Sequence, residues 1–112
     1  MARTDQLECT VERYLLMQCR ENGFLCLKFV SPARIGVPDR VIITPTAGTV
    51  FAEVKRSGGN VVKAQRVMHA KMRRFGAEVH VVDDKPGVDA LIARLLIGGA
   101  ATESLTQEEH SA

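Results

Sequence analysis

Three charged residues stand in segments that otherwise have the composition of buried β-strands: Asp39, Glu53 and Lys55. Burying a charge is costly unless the charge is paired or binds a metal ion. Glu53 and Lys55 are two positions apart in "FAEVK", so a strand projects both side chains from one face. Two carboxylates beside an ammonium group suit the binding of Mg²⁺ or Mn²⁺ and the hydrolysis of a phosphate ester.

The segment between the two strands decides whether these residues meet. "RVIIT" and "TVFAEVK" flank "PTAG", whose proline and glycine are typical of a hairpin turn. Reversal of the chain near residue 46 or 47 places Asp39 opposite residues 53–55, so we expect Asp39 and Glu53 to converge at one end of the hairpin. The alternative is a set of structural ion pairs on an exposed sheet face.

The spacing of apolar residues and chain breakers predicts seven elements. They are a helix over about 5–22, strands over 24–30, 40–44 and 49–55, a helix over about 62–75, a strand over 77–83, and a helix from Pro86 to about Ile97. In the second helix we expect a core face of Ala64, Met68, Met72 and Phe75, with Asn60 as a substitute cap. The order predicts an α/β fold with a mixed sheet, including a parallel unit from the third strand to the fourth.

Charge is distributed unevenly along the 112 residues, whose net charge is only +2. Residues 28–74 contain ten basic and two acidic residues and carry +8, whereas the remainder, with five basic and eleven acidic, carries −6. A basic middle favours contact with a polyanion, although a solvated helix face is an equal alternative. The candidate phosphate contacts are Arg34, Arg40, Arg56, Lys63, Arg66 and Arg73.

Several motifs occur together in an order that resembles a known family. They are "GVPD", "EVK", a glycine-rich turn, and Gln65 early in the following helix, preceded by an N-terminal helix that contains a glutamate. This set resembles the PD-(D/E)xK nuclease superfamily, and more closely its virus-type replication-repair nuclease (VRR-NUC) domain, over residues 5 to about 95. The resemblance implies a restriction-endonuclease-like α-β-β-β-α-β core with a mixed sheet flanked by helices.

The resemblance also implies a role for each matching residue. Asp39 and Glu53 would be metal ligands, with the backbone carbonyl of Val54 as a further ligand. Lys55 would be the catalytic lysine, and Gln65 would support the site or the attacking water. The cofactor implied is Mg²⁺ or Mn²⁺.

The glutamate of the N-terminal helix has two candidates one turn apart on the same face. We favour Glu8, because "ECTVERYL" matches the family pattern best, and Glu12 is the alternative. His69 lies one turn after Gln65, but we interpret it as a surface histidine and not as a site residue.

The resemblance implies a metal-dependent DNA endonuclease of DNA repair, acting on four-way junctions as a homodimer. Two other interpretations stay open. One is a non-catalytic DNA-binding module or subunit of a replication or repair assembly, and the other is a small α/β domain whose strand charges are ion-paired.

The remaining expectations concern location and chain ends. No apolar run approaches the length of a membrane span, and the N-terminus has no apolar signal-peptide core, so we expect a cytoplasmic protein of a bacterial or phage-infected cell with no membrane partner. We expect residues 1–97 to form the nuclease domain and residues 98–112 to be a disordered tail.

Overall fold

The computed structural model describes residues 2–56 and 58–98, and of residues 2–9 it describes the backbone alone. Seven elements follow one another in the predicted order. The helices are α1 (Ala2–Glu21), α2 (Lys63–Arg74) and α3 (Lys85–Ile97). The strands are β1 (Leu25–Lys28), β2 (Arg40–Thr44), β3 (Gly48–Val54) and β4 (Val79–Val82), so that the third strand ends one residue before Lys55.

The four strands form one mixed sheet in the order β1-β2-β3-β4. β2 pairs antiparallel with both β1 and β3, which confirms the predicted hairpin. β3 pairs parallel with β4, and α2 makes the crossover between them. The α/β architecture and its parallel unit are therefore as predicted.

The main core lies between the sheet and the layer formed by α1 and α3. Leu15 of α1 and Leu95 of α3 are fully buried there with Val50, Ala52 and Val54 of β3. Successive strand residues point to opposite faces. Glu53, which lies between Ala52 and Val54, therefore faces the other side of the sheet, where α2 lies.

Helix α2 differs from the sequence prediction in two respects. Its N-cap is Val62, whose backbone N–H donates a hydrogen bond to the side-chain oxygen of Gln65, so Asn60 is not the cap. Phe75 was predicted in the core face but is 81% exposed, because it follows the last helical residue, whereas the buried residue of α2 is His69.

The ends of the chain are described only in part. The predicted disordered tail lies outside the described residues except for Gly98, which ends α3. Within the part of the chain that the structure describes, no helix combines the length and the apolar character needed to cross a membrane.

Candidate active site

The hairpin brings Asp39 and Glu53 to the same end of the sheet. Arg40 pairs with Ala52, so the preceding and following residues, Asp39 and Glu53, stand side by side where the hairpin opens. The Asp39 carboxylate accepts a hydrogen bond from the backbone N–H of Val54 at 3.2 Å. The Asp39 carbonyl accepts a second bond from the N–H of Phe29 at 2.9 Å, which ties the residue to the end of β1. Main-chain pairing thus fixes the position of Asp39.

The loop before Asp39 is held against α2. Gly36 has φ of +85°, a left-handed conformation that favours glycine, and a Cβ there would overlap the carbonyl oxygen of Ala64. Pro38 is fully buried. The "GVPD" sequence therefore lets the backbone approach α2 closely and presents Asp39 at the entry of β2.

Glu53 is the buried carboxylate of the site, with only 4% of its surface exposed. Its Oε2 accepts a hydrogen bond from Nε2 of Gln65 at 2.9 Å, and Nζ of Lys55 lies 3.6 Å from the same oxygen. Its Oε1 is buried and has no hydrogen-bond partner among the described residues. Burial, and then the negative charge of Asp39, raises the pKa of Glu53.

Lys55 and Gln65 are positioned by backbone contacts. The N–H of Lys55 donates to the carbonyl of Val82 at 2.8 Å, which extends the parallel ladder past the end of β3 and keeps the side chain on the face of Glu53. Oε1 of Gln65 accepts from the N–H of Val62 at 3.1 Å. The Gln65 amide therefore caps α2 with its oxygen and holds Glu53 with its nitrogen.

The carboxylate pair suits a divalent cation. Burial, and to a lesser degree the charge of Glu12, raises the pKa of Asp39, against the opposing effect of the Val54 N–H bond. Two close carboxylates with raised pKa values and one unpartnered buried oxygen gain most from a nearby positive ion. Among the described side chains, no three His, Cys, Asp or Glu residues form a ready-made metal cage. Mg²⁺ nevertheless needs only one or two carboxylates and keeps several waters. The residues present therefore fit such an ion.

The two candidate glutamates of α1 differ in what is described of them. Oε2 of Glu12 accepts bonds from Arg40 at 2.6 Å and 3.1 Å, and this pair attaches α1 to the start of β2 beside Asp39. The backbone of Glu8 lies one helical turn earlier, and its side chain is outside the described residues.

His69 is a site residue that sequence reasoning missed. It is 2% exposed, and its Nε2 lies 3.9 Å from Oε1 of Glu53. Burial, then the charges of Arg73 and Lys55, lowers the pKa of His69, which favours the neutral ring. The spacing contains a signal, because residue i+4 from Gln65 lies on the same helix face as Gln65.

The predicted phosphate contacts separate into two groups. Five of them have exposed side chains: Arg34, Arg56, Lys63, Arg66 and Arg73. Of these, Arg66 and Arg73 also donate to the backbone carbonyls of Val61 and Val79 at 2.8 Å. The sixth, Arg40, is partly buried in its pair with Glu12.

The fold, a mixed sheet with an antiparallel hairpin and a parallel crossover unit, is that of the PD-(D/E)xK class of nucleases, and comparison with known proteins gives the family. No family model matches the sequence. The chain is 36% identical over 78 residues to "Putative nuclease p44" of Acyrthosiphon pisum secondary endosymbiont phage 1, a match that covers 70% of this chain and 84% of that protein. A solved structure described as "VRR_NUC domain" superposes with a TM-score of 0.71 at 30% identity, covering 79% of this chain and 96% of that one. The chain belongs to the VRR-NUC nuclease family.

Proposed function

We propose that this protein is a Mg²⁺- or Mn²⁺-dependent endonuclease that hydrolyses phosphodiester bonds in DNA. The observation that carries the proposal is the buried carboxylate of Glu53, which stands beside Asp39 and has Nζ of Lys55 3.6 Å from one oxygen and no partner on the other. A structural ion pair needs one carboxylate and one ammonium group. An ion pair does not explain a second carboxylate beside the first, because two adjacent negative charges repel and raise the energy of both ionised groups.

Each residue has a distinct part in the proposed reaction. Asp39, Glu53 and the carbonyl of Val54 would hold the cation, which when bound supplies polarisation of the scissile phosphate. The ammonium of Lys55 stabilises negative charge that develops on the phosphate and orients the attacking water. Gln65 holds the Glu53 carboxylate in one orientation, since its own amide is fixed by the N-terminus of α2.

The exposed basic side chains would position the substrate. Arg56 and Lys63 lie on either side of the glycine-rich turn that connects the site to α2, and Arg66 follows one turn later. Contacts of this kind go to phosphates and carry no base information, so they hold the duplex without fixing its sequence. Arg40 is the weakest of the predicted contacts, because Glu12 already neutralises it.

Cleavage of a DNA panel tests the proposal directly. Duplex, flap, fork and four-way-junction DNA are incubated with Mg²⁺ or Mn²⁺ and with EDTA. We expect cutting only with metal, and we expect Lys55→Met and Asp39→Asn each to lose at least about 100-fold in rate, as removal of a preorganised charge-stabilising group does. Lys85→Met is the matched control, since Lys85 lies over the ring of Tyr14 at the start of α3. Normal cutting by the Lys55 or Asp39 variant would contradict the site assignment.

The rival function is a non-catalytic DNA-binding module of a replication or repair assembly. It predicts metal-independent binding with a steep salt dependence and no cleavage of any substrate in the panel. The contacts around Glu53 give it no support, because binding to phosphates has no need of two adjacent carboxylates.

Glu8 and Glu12 can be distinguished by paired substitutions. If Glu8 acts in the site, Glu8→Gln lowers the cleavage rate while the free energy of unfolding stays unchanged. Glu12→Gln, by contrast, replaces the charged acceptor of Arg40 by a neutral one and leaves a partly buried guanidinium without a counter-ion, which costs about 1–3 kcal/mol of stability. Loss of cutting in the Glu12 variant alone, at a temperature where it is folded, would assign the helix acid to Glu12.

We further propose a homodimer that acts on four-way junctions during DNA repair, in the cytoplasm of a bacterial or phage-infected cell. One chain carries one site, and two cuts in a symmetric junction need two sites related by a two-fold axis. Sedimentation at micromolar concentration should give a dimer, and a protein that remains monomeric there while still cutting both strands would contradict this part.

A further inference from the structure

Two buried polar atoms face each other on the α2 side of the sheet. They are Oε1 of Glu53 and Nε2 of His69, 3.9 Å apart. Both are buried, and neither has a hydrogen-bond partner among the described residues. Buried polar atoms in folded proteins are nearly always paired, so two adjacent exceptions call for a shared cause.

A direct interaction between the two residues does not account for them. A distance of 3.9 Å is too long for a hydrogen bond. An ion pair would add a proton to a buried ring that already lies near the positive side chains of Arg73 and Lys55. Lys55 and Gln65 both contact the other oxygen, Oε2, so Oε1 is left facing the imidazole.

The separation suits two ligands of one cation. Two atoms that each lie about 2.1 Å from one cation are at most about 4.2 Å apart. The observed 3.9 Å satisfies that limit. A neutral imidazole nitrogen is also a common metal ligand in proteins.

We propose that His69 binds, through Nε2, the same divalent cation as Glu53, and that it makes the site favour Mn²⁺ and Co²⁺ over Mg²⁺. This inference rests on the proposed function, because it adds a ligand to the proposed metal site. Mg²⁺ takes oxygen ligands, whereas affinity for a site with a nitrogen ligand rises from Mn²⁺ towards Co²⁺. His69 therefore sets which metal the nuclease uses.

The first test measures metal affinity by calorimetry. We expect His69→Gln to weaken Mn²⁺ and Co²⁺ binding by about 10-fold or more, the scale of losing a metal-site contact, while Mg²⁺ binding changes by less than about 3-fold. His80→Gln is the matched control, since Nε2 of His80 is already paired with Glu78 at 2.6 Å. Equal weakening of all three metals, or no change in any, would overturn the inference.

The second test obtains its main result from the wild-type protein, and the two variants serve to assign the bound nitrogen. Wild-type protein labelled with ¹⁵N only at histidine is loaded with Mn²⁺ and examined by electron spin-echo modulation. A directly bound histidine nitrogen should be seen in the wild type and in His80→Gln, and it should vanish in His69→Gln.

The outcomes separate this inference from the proposed function. Bound Mn²⁺ without a histidine nitrogen, as when a water fills the gap, overturns the role of His69 and leaves the metal site intact. A nitrogen signal that persists in His69→Gln also overturns it. If Mn²⁺ and Mg²⁺ do not bind at all, the proposed function fails with it.

Discussion

Replacing Glu53 with glutamine should make the metal-free protein more stable while removing its activity. The substitution keeps the size of the side chain and an oxygen that accepts from Gln65. It removes the charge of a carboxylate that is 4% exposed and has one buried oxygen without a partner. Leaving a buried polar group unsatisfied costs about 1–3 kcal/mol, and more when the group is charged, so a neutral amide at this position costs less than the carboxylate. The lost pairing with Lys55, at 3.6 Å and partly exposed, is worth up to about 1 kcal/mol. The expected net gain in the free energy of unfolding is about 1 kcal/mol at pH 7.5.

The gain should depend on pH in a defined direction. The pKa of Glu53 is raised in the folded protein above its usual 4.5, so the folded state holds the proton more tightly than the unfolded state does. The wild type is therefore most stable below the usual pKa and loses stability as the pH rises through the raised pKa. The glutamine side chain does not titrate. The stability advantage of Glu53→Gln over the wild type should be near zero at pH 4, grow as the pH rises through the raised pKa of Glu53, and then level off.

Chemical denaturation with EDTA present, from pH 4 to pH 8, measures this difference. Glu78→Gln is the matched control, because Glu78 is a carboxylate whose oxygens are paired with His80 at 2.6 Å and Arg94 at 2.9 Å. We expect that variant to lose about 1–2 kcal/mol, as a lost charge-assisted hydrogen bond does. A loss of stability in Glu53→Gln that is as large at pH 8 as at pH 4 would refute the reasoning and favour a structural ion pair.

Added metal should reverse the order of stability. A ligand that binds only the folded state stabilises it by about 2.7 kcal/mol at 100 times its dissociation constant. Mn²⁺ should therefore raise the stability of the wild type and leave Glu53→Gln nearly unchanged. Equal stabilisation of both proteins would show that the bound ion is held elsewhere.

Three further outcomes follow from contacts around the site. Gly36→Ala should cost about 2 kcal/mol or more of unfolding free energy in a denaturation series, because the new Cβ would overlap Ala64 and the φ is strained. The control Gly23→Ala, where nothing lies near the new Cβ, should cost only the strain of about 1 kcal/mol, and equal losses would contradict the close approach of Gly36 to α2. Gln65→Leu should lose about 1–2 kcal/mol of stability, because it removes the two hydrogen bonds to Val62 and Glu53, and it should weaken Mn²⁺ binding by about 10-fold in calorimetry. Unchanged metal affinity would argue against a supporting role for Gln65. Arg56→Gln should keep the free energy of unfolding within about 0.5 kcal/mol of the wild type. It should reduce the slope of log binding constant against log salt concentration by about 0.9 for DNA, and an unchanged slope would remove Arg56 from the phosphate contacts.

The hairpin was predictable from the sequence because its determinants are local. A proline and a glycine between two runs of β-branched residues fix both the turn and the antiparallel pairing. The register then follows within about two residues, and strand alternation places Glu53 and Lys55 on one face. The structure has Arg40 opposite Ala52, as this reasoning requires.

The cap of α2 and the fate of its apolar residues were not predictable in the same way. Val62 is a poor cap by type, and only the approach of the Gln65 side chain satisfies its N–H. Phe75 is a large apolar residue of the kind found in cores, but the helix ends before it and its side chain is exposed. Both results depend on where the helix axis lies relative to the sheet, which the periodicity of a single helix does not contain.

The sequence by itself determined the order of elements, the turn and the shared face of Glu53 and Lys55, because these depend on residues close together along the chain. Only the tertiary structure decided that α2 places a buried imidazole opposite the free oxygen of Glu53, and that Arg40 is held by Glu12 across 28 positions of sequence. Such contacts depend on how helices pack on the two faces of the sheet. A histidine on a helix face is ordinary in sequence, and its significance comes from the carboxylate that the fold sets 3.9 Å away.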